Sequence, residues 1–141
     1  MSSFQNQMVT LVRAFGWHRP ASTPCGRPVP IAEAHALLEL SSLDSMTQAE
    51  LVTRLNLRKS TVSRLVSNLE NRGWVTRGRD ESDGRARNLS LTATGGEAAA
   101  DLARARQAKM DKILERIPAN QRKSVTQSLQ TLVKAIHESD E

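Results

Sequence analysis

The sequence predicts a mainly α-helical domain with one small β-hairpin, and three patterns carry the prediction. Within Arg58–Trp74, Val62, Leu65, Val66 and Leu69 recur at i, i+3, i+4 and i+7, the spacing of a helix with one buried stripe. Just upstream, Thr47-Gln48-Ala49-Glu50 has the form of a capping box and opens a shorter helix with Leu51, Val52 and Leu55 turned inward. Downstream, two short runs of strand formers, Trp74–Arg77 and Asn88–Leu91, flank a charged segment that contains Gly84. Two helices joined by the short turn Asn56-Leu57-Arg58, followed by a hairpin, make a winged helix-turn-helix.

The remaining elements follow in order. Met8, Leu11, Val12 and Phe15 predict a first helix over about residues 4–18. Pro20, Pro24, Pro28 and Pro30 with Gly26 make residues 19–30 a helix-breaking linker. A second helix over about 31–43 has a broad apolar face, Ile31, Ala34, Leu37, Leu38 and Leu40, suited to a buried position. Ser60 or a neighbour is expected to cap the helix after the turn, and Gly73 to stop it. Thr92 or Thr94 caps the next element, Thr94 with Glu97 repeating the capping-box pattern, and a long helix runs to Ile117 before Pro118 breaks it. Asn120 is expected to cap a last helix with Val125, Leu129, Leu132, Val133 and Ile136 on one face. These terminal helices are too long for a small winged core to cover. The expected organisation is therefore a winged helix-turn-helix lobe at 31–92 flanked by N- and C-terminal helices at 1–30 and 93–141 that need a partner surface.

Composition narrows the function. A chain of 141 residues buries a core without metal or disulfides, and its single cysteine, Cys25, permits no intramolecular bridge. There is no secretory segment or apolar run of spanning length, so the expected location is the cytoplasm and no membrane partner is expected. Phe4, Phe15, Trp17 and Trp74 are the only aromatics, which argues against a module that stacks single-stranded bases.

The charge is concentrated. Arg54, Arg58, Lys59, Arg64, Arg72, Arg77, Arg79, Arg85 and Arg87 stand against Glu70, Asp80, Glu81 and Asp83, and this window holds the entire net charge of +5. Such clustering is the footprint of a phosphate-binding surface, although RNA or a membrane surface would attract the same patch. The outward face of the 58–74 helix is Thr61, Ser63, Arg64, Ser67, Asn68 and Asn71. Hydroxyls, amides and arginine there cost helix propensity but suit an approach to base edges in a major groove. In the hairpin tip, Asp83 is spaced to orient Arg85 toward a narrow minor groove, where a guanidinium is electrostatically favoured.

Taken together, Ser60-Thr61-Val62-Ser63-Arg64-Leu65-Val66, Leu69-Glu70, Gly73-Trp74-Val75, Asp83-Gly84-Arg85 and Leu91-Thr92-Ala93-Thr94-Gly95 resemble the MarR family of bacterial transcription regulators, over essentially the whole chain. The resemblance implies a non-enzymatic homodimer whose first and last two helices intertwine, a repressor binding a pseudo-palindromic double-stranded DNA operator. Ser60, Thr61, Ser63 and Arg64 would face the major groove and Arg85 the minor groove with Asp83 holding it. Arg58, Lys59, Ser67, Arg79 and Arg87 complete the expected DNA-binding set.

The resemblance also implies release by a small aromatic or anionic effector in a crevice between dimer helices and lobe, for which Trp17, His18, Arg19 and His35 are candidates. No cofactor is expected. His35 and Glu39 have the i, i+4 spacing of a metal pair, but no cysteine cluster or third ligand accompanies them. Cys25, two residues before Arg27, is the candidate for an alternative, redox-sensing regulator. A thiol enzyme lacks a base and an oxyanion site near Cys25. A helical interaction protein that does not bind DNA is the remaining alternative, and Arg58, Lys59, Arg79 and Arg87 count against it.

Overall fold

In the computed structural model, residues 2–79 and 87–140 are described. They separate into two units, Met1–Arg106 and Gln107–Glu141.

The first unit begins with α1 (Ser3–Phe15), opened by a capping box in which the Ser2 hydroxyl accepts from the Gln5 amide while the Gln5 side chain accepts from the Ser2 amide. Gly16 ends it, so Trp17 and His18 lie beyond the helix and not within an element reaching residue 18. The linker leads to α2 (Ile31–Ser41), which buries Ala34, Ala36, Leu37 and Leu40 and stops two residues short of the expected end. Next comes a two-residue strand, β1 (Met46–Thr47), absent from the sequence reading because so short a stretch has no alternation to detect.

Thr47 also caps α3 (Gln48–Leu55), its hydroxyl accepting from the Glu50 amide at 3.1 Å as its capping-box position predicts. Asn56, at φ 52°, turns the chain into α4 (Lys59–Asn71). The cap expected there is absent. Arg58 holds the N-cap position without a side-chain bond, and Ser60 sits inside the first turn. At the other end Gly73, at φ +77°, donates to Glu70 and Trp74 donates to Leu69, which satisfies two terminal carbonyls of α4 through a left-handed glycine.

The hairpin strands β2 (Val75–Arg79) and β3 (Arg87–Leu91) pair antiparallel, with Arg77 opposite Leu89 and Arg79 opposite Arg87. Strand β1 adds to the other edge of β3, Met46 opposite Leu89, giving the order β1-β3-β2. Val62, Leu65, Val66 and Leu69 of α4 pack with Leu37, Leu40, Met46, Leu51, Val75 and Leu89 in one core. A side chain of this size buried from water contributes about 1.5–3 kcal/mol, so this cluster fixes where the outward face of α4 points.

The core also takes in Val29 from the linker and Ala99 and Leu102 from α5 (Ala93–Arg116). Thr92, not Thr94, caps α5: its hydroxyl accepts from the Gly95 amide at 3.0 Å and donates to the Gly73 carbonyl at 2.6 Å. The Thr94–Glu97 pair falls within the helix, because Thr92 already answers the first amides. Gly95 is buried against the Trp74 carbonyl, which leaves no room for a side chain.

In the second unit the end of α5 is followed, after Pro118, by one 3-10 turn (Ala119–Gln121) and α6 (Arg122–Ser139). Asn120 lies in that turn, and α6 opens at Gln121 without a side-chain cap, so the expected cap does not form. Instead Arg122 Nε donates to the Ile117 carbonyl at 3.0 Å. No residue of α6 is buried; Leu129, Val133 and Ile136 are all exposed.

Candidate nucleic-acid interface

The four apolar residues of α4 are each no more than 5% exposed, which turns the polar residues between them outward. Ser60, Ser63, Arg64, Ser67, Asn68 and Asn71 are exposed, as are Arg58 and Lys59 at the start of the helix. Thr61 is half-buried, so it contributes less to this face than its position in the sequence suggests. Ser67 Oγ donates to the Ser63 carbonyl at 3.1 Å, a bond within the helix that leaves the hydroxyl free to accept. Asp83 and Arg85 lie outside the described residues, while Arg79 and Arg87 form the last described pair of the hairpin ladder.

The cations of the charged window divide into two groups. Arg54 pairs with Glu39 at 3.1 Å, Arg72 with Glu33 at 3.1 Å, and Arg77 with Glu70 at 2.7 Å. Glu33, 5% exposed, is the buried partner of Arg72, whose guanidinium also lies 5.1 Å over the Trp74 ring. Glu33 and Glu39 come from α2, outside the basic window, so the positive excess is smaller in space than along the chain. Arg58, Lys59 and Arg64 have no ion pair among the described residues. Exposed and uncompensated at one end of the polar face, they are the cations best able to meet phosphates or base edges.

Cys25 occupies a tight turn in the linker. The Thr23 amide donates to the Arg27 carbonyl at 2.9 Å, the Arg27 amide donates to Thr23 Oγ1 at 2.9 Å, and Thr23 Oγ1 lies 3.0 Å from Cys25 Sγ. The Arg27 guanidinium is directed to Asp101 of α5, with Nε donating at 2.7 Å and a second nitrogen at 3.2 Å. Its charge is therefore aimed at a carboxylate and not reserved for the thiol.

That bond and the charge of Arg27 hold the Asp101 carboxyl below the ordinary carboxylate range. A depressed carboxylate pKa adds stability above the unfolded-state value and loses it as the pH falls through the lower folded-state value. Asp101→Asn should therefore melt below the parent at neutral pH, by a small margin because both groups are well exposed to solvent. The gap should close on acidification. A gap that persists below the carboxylate range would mean that the pair contributes through packing alone.

His35, Leu38, Glu39, Arg54, Leu55 and Arg106 line a shallow cleft of about 270 Å³. It combines an imidazole and two guanidiniums with one carboxylate. Trp17, His18 and Arg19 are not among the lining residues. Trp17, half exposed, instead packs on Phe15 with ring centroids 4.5 Å apart. Among the described residues no group of three metal-ligating side chains is assembled, and His35 and Glu39 share the cleft without a third donor.

A MarR family model matches residues 28–86, from the end of the linker through the helix-turn-helix into the wing, and an HTH-type transcriptional regulator of Mycobacterium leprae is 26% identical over 94% of this chain and 89% of its own length. The likeness to the MarR family thus covers the helix-turn-helix and the start of the wing. Solved structures agree in fold. FabT of Streptococcus pneumoniae, crystallised with DNA, has a TM-score of 0.72 at 22% identity, with 96% of this chain and 90% of that one covered. PcaV of Streptomyces coelicolor, crystallised with its natural ligand, has a TM-score of 0.73 at 20% identity, covering 97% and 92%.

Two parts of this lobe escape a reading of its sequence. Arg77 bridges Glu70 and Gln48, residues 7 and 29 positions away, and no local spacing announces a contact from a strand to two helices. Glu33 looks like an ordinary acid in the first turn of α2, yet it is the buried anchor of Arg72.

Proposed function

We propose that the chain is a sequence-specific, homodimeric DNA-binding repressor that reads a pseudo-palindromic operator and is released by a small anionic effector. One observation carries this reading: a helix pinned by four buried side chains presents exposed Ser60, Ser63, Arg64 and Ser67, with Arg58 and Lys59 at its start in no ion pair among the described residues. Short donors and acceptors suit base edges, and flanking cations suit phosphates. FabT, which shares the fold, was crystallised with DNA. The dimer is supported by the terminal helices, which leave Leu129, Val133, Ile136, Met110, Ile113 and Leu114 in water. A second copy of the chain covers such faces and spaces two reading heads about one helical turn, roughly 34 Å, apart.

In the cleft beside His35, Arg54 is paired with Glu39, and Arg106 is the guanidinium offered to an anion. An effector bound there represses binding only to the extent that it prefers a lobe arrangement unsuited to the operator.

The test is selection of duplexes by the purified protein, followed by sequencing and sedimentation. Two inverted half-sites about one turn apart and a dimer mass are expected. A monomer, or recovered duplexes without symmetry, would contradict the proposal. Arg85→Ala should weaken binding most where the flanks are A·T-rich, because a narrow minor groove concentrates negative potential. Equal binding of the variant and the parent to such flanks would remove Arg85 from the interface.

A further inference from the structure

We propose that Arg77 is a positioning residue for base reading: its guanidinium, held by the wing strand, ties the first turn of α3 to the last turn of α4 and sets the tilt at which α4 enters a groove. The inference rests on the DNA-reading function above. Arg77 lies at the centre of β2, opposite Leu89. Its Nε donates to Glu70 Oε1 at 2.7 Å, and its Nη1 donates to Gln48 Oε1 at 2.9 Å. Gln48 is the first residue of α3, and Glu70 is in the final turn of α4. Both helices and the wing therefore meet on one planar group.

The physical need for such a group is directional. Apolar burial holds α3 and α4 at a packing distance, but it is non-directional and resists rotation weakly. Charge-assisted hydrogen bonds have fixed geometry, and the rigid fork of arginine holds two acceptors at once where an ammonium is only a point charge. The Arg77 side chain is 26% exposed and that of Glu70 34%, so water competes only partly for the pair. With both arms engaged, Arg77 is a support behind the reading face and not one of its phosphate contacts.

The full chain, Arg77→Met, Arg77→Lys and Gln48→Ala are titrated with the duplex that the parent selects and with a random duplex of equal length, over a range of salt, with melting followed in parallel. Arg77→Met should bind the selected duplex about tenfold more weakly, as expected if the reading tilt is populated about a tenth of the time. Binding to random duplex and the salt slope should not change. Arg77→Lys should recover part of the loss, and Gln48→Ala, which keeps the Glu70 pair, should lose about threefold, the net value of one hydrogen bond.

Equal losses on both duplexes would reduce Arg77 to a stabilising surface pair. A salt slope smaller by about one would make it a phosphate contact. Either result overturns the proposal. Should Arg77→Met fail to fold, Gln48→Ala decides: selectivity equal to that of the parent overturns the proposal. A parent chain that selects no duplex overturns the functional reading and this inference together, whereas a selective parent with equally selective variants overturns this inference alone.

Discussion

Gly95→Ala is expected to lower the unfolding free energy by about 3 kcal/mol, the upper end of what overpacking a close-packed site costs. A Cβ at this position would stand 1.9 Å from the Trp74 carbonyl oxygen and 2.7 Å from its carbon. Both atoms are backbone, so no flexible side chain can swing away. The surrounding bonds resist any shift: the same Trp74 carbonyl accepts from the Thr92 amide at 3.0 Å, and the Thr92 hydroxyl holds the Gly73 carbonyl and the Gly95 amide. Pushing α5 away from Trp74 would break this set and loosen Ala99 and Leu102 from the core. The neighbouring glycine is the control. A Cβ on Gly96 meets nothing within 4 Å, so Gly96→Ala should stabilise the helix by up to about 1 kcal/mol. Urea titrations of the two variants should move in opposite directions. Equal midpoints would mean that the α5–Trp74 contact is looser than described.

Arg64→Ala should weaken binding to the selected duplex by ~1–3 kcal/mol and relax preference at one base position. Arg64 is exposed on α4 between buried Val62 and Leu65, so its backbone is fixed by the core while its side chain is uncommitted. It has no ion pair among the described residues, unlike Arg54, Arg72 and Arg77. Removing it should therefore leave folding nearly untouched. The discriminating measurement compares titrations against selected and random duplexes. Similar losses on the two would assign Arg64 to the phosphate backbone and leave base reading to the hydroxyls of Ser60, Ser63 and Ser67.

Helix periodicity, the Thr47 cap, the Gly73 stop and both hairpin strands were legible in the sequence because each depends on residues within a few positions of one another. The caps expected at Ser60 and Asn120 do not form, whereas of Thr92 and Thr94, both offered by the sequence, Thr92 caps α5. Several hydroxyl or amide side chains compete near a helix start, and the winner is chosen by what else it can bind. Thr92 prevails because its hydroxyl also reaches Gly73, nineteen residues earlier. Strand β1 formed because Met46 is buried opposite Leu89, a pairing with no trace in a two-residue stretch.

The sequence by itself determined the succession of helices, the polar outward face of α4, and a net positive charge confined to residues 54–87. Only the tertiary structure decided which of those charges remain available. Glu33 and Glu39 arrive from α2 to engage Arg72 and Arg54, and Glu70 with Gln48 engages Arg77, leaving Arg58, Lys59 and Arg64 unpaired among the described residues. Periodicity is written locally, within one helical turn, so a sequence displays it. Neutralisation acts through space over a few ångströms, between residues that only folding makes neighbours.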